Sequence, residues 1–114
     1  MELMAFQFLG KIKKISKKKV RAGEFIKKPS CYGDYPPPYS EGTEYYEIIL
    51  EKDEFSQDCN DFENRRSVKL VFFGQQSEVD FRKKFVIGER YRFCCTGGSG
   101  YYWPHNWEKI NNNE

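Results

Sequence analysis

SVKLVFFGQQSEVDFRKKFVIGERYRFCC, from Ser67 to Cys95, is the stretch on which the reading of this chain turns, because each of its boundaries has a local cause. From Ser67 to Phe73 the side chains follow a two-residue period. Val68, Leu70 and Phe72 fall on one face, and Ser67, Lys69, Val71 and Phe73 on the other, which is the pattern of a strand. Gly74 ends it. Ser77 then offers a helix cap, with Asp80 three residues on and Phe81 and Phe85 four apart on one side. Gly88 is placed to stop this short helix. After it, Tyr91, Phe93 and Cys95 alternate with Arg90, Arg92 and Cys94 in a second strand.

Working back toward the start, Phe6, Phe8, Gly10 and Ile12 share one face of a first strand, while Gln7, Leu9, Lys11 and Lys13 share the other. The phase slips at Lys14, because Ile15 faces the wrong way unless an extra residue is absorbed, so a bulge is expected there. A long, bent strand of this kind pairs with two neighbours around a small barrel. The basic run Lys17 to Arg21 follows. Ala22 to Gly42 contains Pro29, Pro36, Pro37 and Pro38 and reads as a long loop. Thr43 to Glu51 is the next strand, with Tyr46, Ile48 and Leu50 inward and Tyr45, Glu47 and Ile49 outward. Lys52 to Arg66 is a polar, acidic connection from which Phe55 and Phe62 tuck back onto the core.

Beyond Cys95, Thr96 to Gly100 (TGGSG) reads as a flexible loop and Tyr101, Tyr102 and Trp103 as its flank. Pro104 argues against a central strand at that point, so the last strand is expected from His105 to Ile110, with Trp107 inward. Residues 1–110 form one domain and 111–114 a tail, since 114 residues suffice for a single core and 18% of them are aromatic.

Nineteen Lys and Arg face 17 Asp and Glu, so net charge carries little information, whereas its segregation does. Between Lys11 and Lys28 the only acid is Glu24; between Glu51 and Glu63 the charge is mostly acidic. Cys31, Cys59, Cys94 and Cys95 contain no C-x-x-C pair, which argues against a zinc ribbon or a disulfide framework and for reduced thiols in a cytoplasmic or nuclear protein. A metal site built from Cys31, Cys59 and Cys94 is a remote reading. The apolar cluster Leu3 to Leu9 is cut short by Lys11 and is neither a signal peptide nor a membrane span. A soluble, intracellular protein with no membrane partner is therefore expected.

GKIKKIS, EYYEIIL, VKLVFFG, the short helix leading into VIGERYRF, and a final aromatic segment ending in W-x-x-I together resemble small OB-fold proteins that bind single-stranded nucleic acid. These include bacterial-type single-strand binders and the small subunits of replication protein A and of telomere-capping complexes. The resemblance spans nearly the whole chain and departs from the short members at CYGDYPPPYS and in the acidic connection. It implies an all-β fold with one short helix: a five-stranded Greek-key barrel, the helix lying between strands three and four. It also implies a groove across strands two and three, flanked by the loops joining strands one to two and four to five.

On that groove the sequence sets out rings and cations, the two things a flexible single strand needs. The rings are Tyr32, Tyr35 and Tyr39 in the first loop, Tyr101, Tyr102 and Trp103 at the second, and outward Tyr45 and Phe73. The cations are Lys11, Lys13, Lys17, Lys19, Arg21, Lys69, Arg90 and Arg92, with Lys18 in the same run. Trp107 reads as core, and His105, the only histidine, as a surface or strand-end residue without a catalytic partner. No phosphate-cradling loop precedes a helix and no Cys, His, Asp set stands at a recognisable spacing, so neither an enzyme nor a cofactor is expected. The leading expectation is binding of single-stranded DNA, or RNA, with little sequence preference in replication, repair or telomere maintenance. The alternative is an interaction subunit, covered by a larger protein and anchored on Ile49, Val71 and Phe73.

Overall fold

A computed structural model of the chain describes residues 5–22, 41–53, 62, 65–74, 77–98 and 101–110. The order is β1 (Ala5–Lys19), β2 (Glu44–Glu51), β3 (Ser67–Phe73), α1 (Glu78–Lys84), β4 (Arg90–Gly98) and β5 (Tyr101–Ile110). The strands form one sheet in the order β1-β2-β3-β5-β4, and β4 pairs again with β1, so the sheet closes on itself. All pairings are antiparallel except β3 with β5. The expected mostly-β class, with one short helix among the described residues, between the third and fourth strands, is what is found. Cys31, Cys59, Phe55, most of the Pro-rich loop with its three tyrosines, and the tail lie outside the described residues.

Closure depends on β1. Its first half pairs with β4, from Ala5↔Thr96 to Lys11↔Arg90, and its second half with β2, from Lys11↔Glu51 to Lys19↔Glu44. The register shifts between Ile12 and Lys14, which is the bulge that the slipping alternation called for. Gly10 stands just before this point. A Cβ there would meet the carbonyl oxygen of Glu51 and approach Leu50 Cγ at 3.2 Å, so only glycine lets the end of β2 cross this closely.

The helix is set as its sequence implies. Ser77 Oγ accepts from the Asp80 N–H at 3.3 Å, acids occupy the first turn and Arg82, Lys83 and Lys84 the last. Its end differs from expectation: the helix stops at Lys84, with Phe85 already extended, and Gly88 (φ +93°) serves the following turn instead. Phe85 leaves the helical path because its ring is drawn into the core, where it packs against Phe72, Phe81, Phe93 and Trp107 at 5.1–5.6 Å. The turn is tied to the bulge, Gly88 N–H donating to the Ile12 carbonyl at 2.8 Å and Ile12 N–H to the Glu89 carbonyl at 3.0 Å. Tyr91 completes the joint. Its hydroxyl accepts from the Val86 N–H at 3.0 Å and donates to the Lys84 carbonyl at 3.4 Å.

Two further corrections concern the last strands. β4 runs on to Gly98, and β5 starts at Tyr101 rather than His105, so Tyr101, Tyr102 and Trp103 are strand residues and not loop flank. Pro104 is tolerated because the β4–β5 register shifts between Cys94 and Cys95, whose partners are Asn106 and Pro104; His105 is the extra residue. Gly97 is likewise a strand glycine, placed where a Cβ would meet the Tyr101 carbonyl and sit 2.8 Å from Tyr102 Cα.

The interior is aromatic. Phe8, Phe62, Phe81, Phe85 and Phe93 are fully buried with Ile12, Ile48, Leu50, Leu70 and Cys95. Phe62 does return to the core, edge-on to Phe8 at 5.2 Å, and Trp107 is half-buried against it, edge-on to Phe72 and Phe85. Among the described residues no helix is long and apolar enough to cross a membrane.

Two substitutions check this account by urea denaturation. Gly10→Ala should lower stability by about 1–3 kcal/mol, since the added methyl must displace backbone. Tyr91→Phe should cost about 1 kcal/mol, because it strips two hydrogen bonds from the helix joint while leaving the ring packing intact.

Candidate functional site

The outer faces of β2, β3 and β5 form one continuous wall, because the pairs Tyr45↔Phe73, Glu47↔Val71, Ile49↔Lys69 and Lys69↔Tyr101 put these residues side by side. Alternation accounts for which side chains lie there: Tyr46, Ile48, Leu50, Leu70, Phe72 and Tyr102 are committed to the interior. What remains outside is a second apolar cluster. Val20, Tyr45 and Val71 are buried in it, and Phe73, Tyr101 and Trp103 pack around them half-buried. The Tyr45 and Phe73 rings are 5.1 Å apart and tilted by 32°. Lys69, exposed, holds its ammonium 6.0 Å from the Tyr101 ring centroid, within reach of a cation–π attraction.

Tyr45 faces outward as its strand position requires, but at 3% exposure its faces are covered by neighbours. Tyr102 departs further from expectation. It points inward, edge-on to Phe8 at 4.7 Å, and its hydroxyl receives a hydrogen bond from Arg65 Nη1 at 2.9 Å. Strand geometry explains this: once Tyr101 and Trp103 belong to β5, the residue between them must face the core. Tyr32, Tyr35 and Tyr39 fall outside the described residues.

The expected cations do not share one surface. Lys13, Lys17 and Lys18 on β1 face carboxylates of β2: Glu51 at 3.3 Å, Glu44 at 3.4 Å and Glu47 at 2.9 Å. Arg92, on the outer face of β4, pairs with Glu108 at 2.8 Å, and Arg90 with Asp53 at 2.7 Å. Both side chains of the Arg90 pair are about six-sevenths buried (13% and 15% exposed), so Arg90 is a structural clasp between the start of β4 and the end of β2. β4 lies between β1 and β5 in the closed sheet and borders the wall only along β5. Lys19 and Arg21 are exposed near the end of β1, and Lys11 is half-buried at its branch point.

Val20 is a wall residue that the sequence reading passed over, and Glu47, expected to face outward, is buried there. Glu47 is 4% exposed, the one buried charged side chain among the described residues, and Lys18 reaches it from the neighbouring strand. An acid flanked by apolar residues on the outer face of a strand, opposite a lysine run, was the available signal. Val20, isolated in KKKVRAG, belongs to the strand-like closure Val20 N–H to Thr43 carbonyl and Gly42 N–H to Val20 carbonyl, both 2.8 Å.

The wall offers ring faces, one exposed cation beside them and a single internally paired carboxylate. Among the described residues no group of three or more His, Cys, Asp or Glu is positioned to hold a metal ion. Comparison with protein-family models, curated proteins and solved structures finds no match.

The three β1–β2 ion pairs should differ in value. Lys13→Gln and Lys17→Gln, which break exposed pairs, should each change unfolding free energy by less than about 0.5 kcal/mol. Lys18→Gln leaves a nearly buried carboxylate without its cation and should cost about 1 kcal/mol or more.

Proposed function

We propose that this chain is an OB-fold protein that binds single-stranded nucleic acid, DNA in the first instance, across the outer wall of β2, β3 and β5. The single observation that carries the reading is the gathering of Tyr45, Phe73, Tyr101 and Trp103 on that wall with the Lys69 ammonium beside them. The strand order, the bulged first strand and the helix between β3 and β4 agree with the outline of that fold, in which the ligand crosses strands two and three. Phe73, Tyr101 and Trp103, being half-exposed, are the rings that would stack on bases. Tyr45 and Val71 would serve as the floor that holds them. Stacking on flat rings is indifferent to base identity, so little sequence preference follows. The chain acts in this reading as a binder, not a catalyst, in replication, repair or telomere maintenance. Of the three anchors expected for an interaction subunit, Val71 is buried at 2% exposure, whereas Ile49 and Phe73 are partly exposed.

Fluorescence anisotropy with a labelled oligothymidylate of about 15 nucleotides, within the span one such fold covers, tests the proposal. Binding should be present at low salt and weaken as salt rises, with a shallow log–log slope of about −1 to −3, since Lys13, Lys17 and Lys18, half of the β1 lysines, already have carboxylate partners. Phe73→Ala and Tyr101→Ala should each lower affinity by roughly 5- to 100-fold, the equivalent of one lost stack. Absence of binding at low salt would overturn the reading.

A further inference from the structure

The described residues place their exposed large apolar side chains, Val79 (63%), Val86 (41%) and Ile87 (52%), within nine residues, on α1 and the turn that follows it. Arg82 is paired with Glu78 and Arg92 with Glu108, but Lys83, Lys84 and Lys109, all exposed, have no carboxylate partner among the described residues. The Lys84 ammonium lies 5.6 Å above the Trp107 ring, and Lys109, two residues further along β5, is the register partner of the buried Tyr91, whose hydroxyl accepts from the Val86 N–H. Lys83 stands one helical turn from Val79. The turn is also rigid. Glu89 N–H closes it on the Val86 carbonyl at 3.2 Å, and the Gly88 and Ile12 backbone bonds fix it to β1, so little ordering cost would attend binding here.

We propose that this lip, Val86 and Ile87 framed by Lys83, Lys84 and Lys109, docks an acidic peptide segment of a partner protein that carries an aliphatic or aromatic anchor. Charge complementarity selects an anionic occupant. The apolar components select a peptide over a nucleic-acid strand, because exposed aliphatic side chains give bases no flat face to stack on but do receive an apolar side chain. The surface lies at the helix end of the sheet and is independent of the proposed nucleic-acid wall.

Selection of a random displayed peptide library on the full chain, with counter-selection on the Val86→Ser/Ile87→Ser variant, is the test. Enriched peptides should be net acidic with at least one large apolar residue. Synthesised, they should shift backbone amide resonances of residues 79–89 and 107–109 and lose about tenfold or more affinity for Lys84→Gln/Lys109→Gln. That second variant alters only exposed side-chain ends, so it remains informative if the first fails to fold. Neutral or basic enriched peptides, or equal binding to the Lys84→Gln/Lys109→Gln chain, would overturn the proposal. Movement of the same resonances by oligothymidylate, with no acidic peptide selected, would assign the lip to nucleic acid and overturn it as well.

Discussion

Lys11 stands opposite Glu51 on one side and Arg90 on the other, and the whole sheet depends on one strand serving two partners at that point. A strand that pairs with β4 and then with β2 must turn sharply between them, and the turn is made by a glycine that admits the Glu51 carbonyl and a bulge that absorbs one residue. Both lie within Gly10 to Lys14. The bulge also sets the Ile12 N–H and carbonyl to face the turn after α1, which is how the helix end becomes fixed to the sheet. Closure, helix placement and the rigidity of the Val86–Glu89 turn are therefore consequences of one local irregularity.

Closing the sheet divides the side chains into two populations with different duties. Inside, edge and tilted contacts among Phe72, Phe81, Phe85, Phe93 and Trp107 fill the volume beneath the helix, and removing any one fully buried ring would cost several kcal/mol, about 3–5 by the usual measure of cavity formation. Outside, most of the closed surface is polar, but the β2–β3–β5 wall carries an apolar cluster of its own. A wall of that composition is stable only while its floor is covered. Tyr45 and Val71 are covered, whereas Phe73, Tyr101 and Trp103 are only partly buried.

Most of the architecture could be read from the residues because it rests on short-range causes. Alternation in Ser67–Phe73 and Glu44–Glu51, the Ser77 cap, and the phase slip before Ile15 each concern neighbours in the chain. The readings that failed concern what another strand does nearby. TGGSG looks like a flexible loop because glycine loosens an isolated chain, yet Gly97 is required by the close passage of Tyr102. Pro104 looks like a strand terminus until the bulge at His105 is counted, and the inward turn of Tyr102 follows from that same miscount. The candidate cations suffered likewise, since a lysine run announces charge but not the carboxylates that the register sets beside it.

Those carboxylates bear on how the proposed wall would meet a polyanion. Glu44, Glu47 and Glu51 lie far from the β1 lysines in sequence, yet pairing brings each within 4 Å of one of them. A phosphate approaching Lys13 or Lys17 must therefore exchange with an existing partner, a nearly neutral trade in free energy because exposed pairs contribute little. Lys18 is different, for releasing it would strand Glu47 in a buried setting. Of the exposed cations, Lys69 and Lys19 would attract a single strand, while stacking would supply the larger part. On this accounting the proposed wall would favour ligands that present exposed bases over duplexes, whose bases are already stacked on one another.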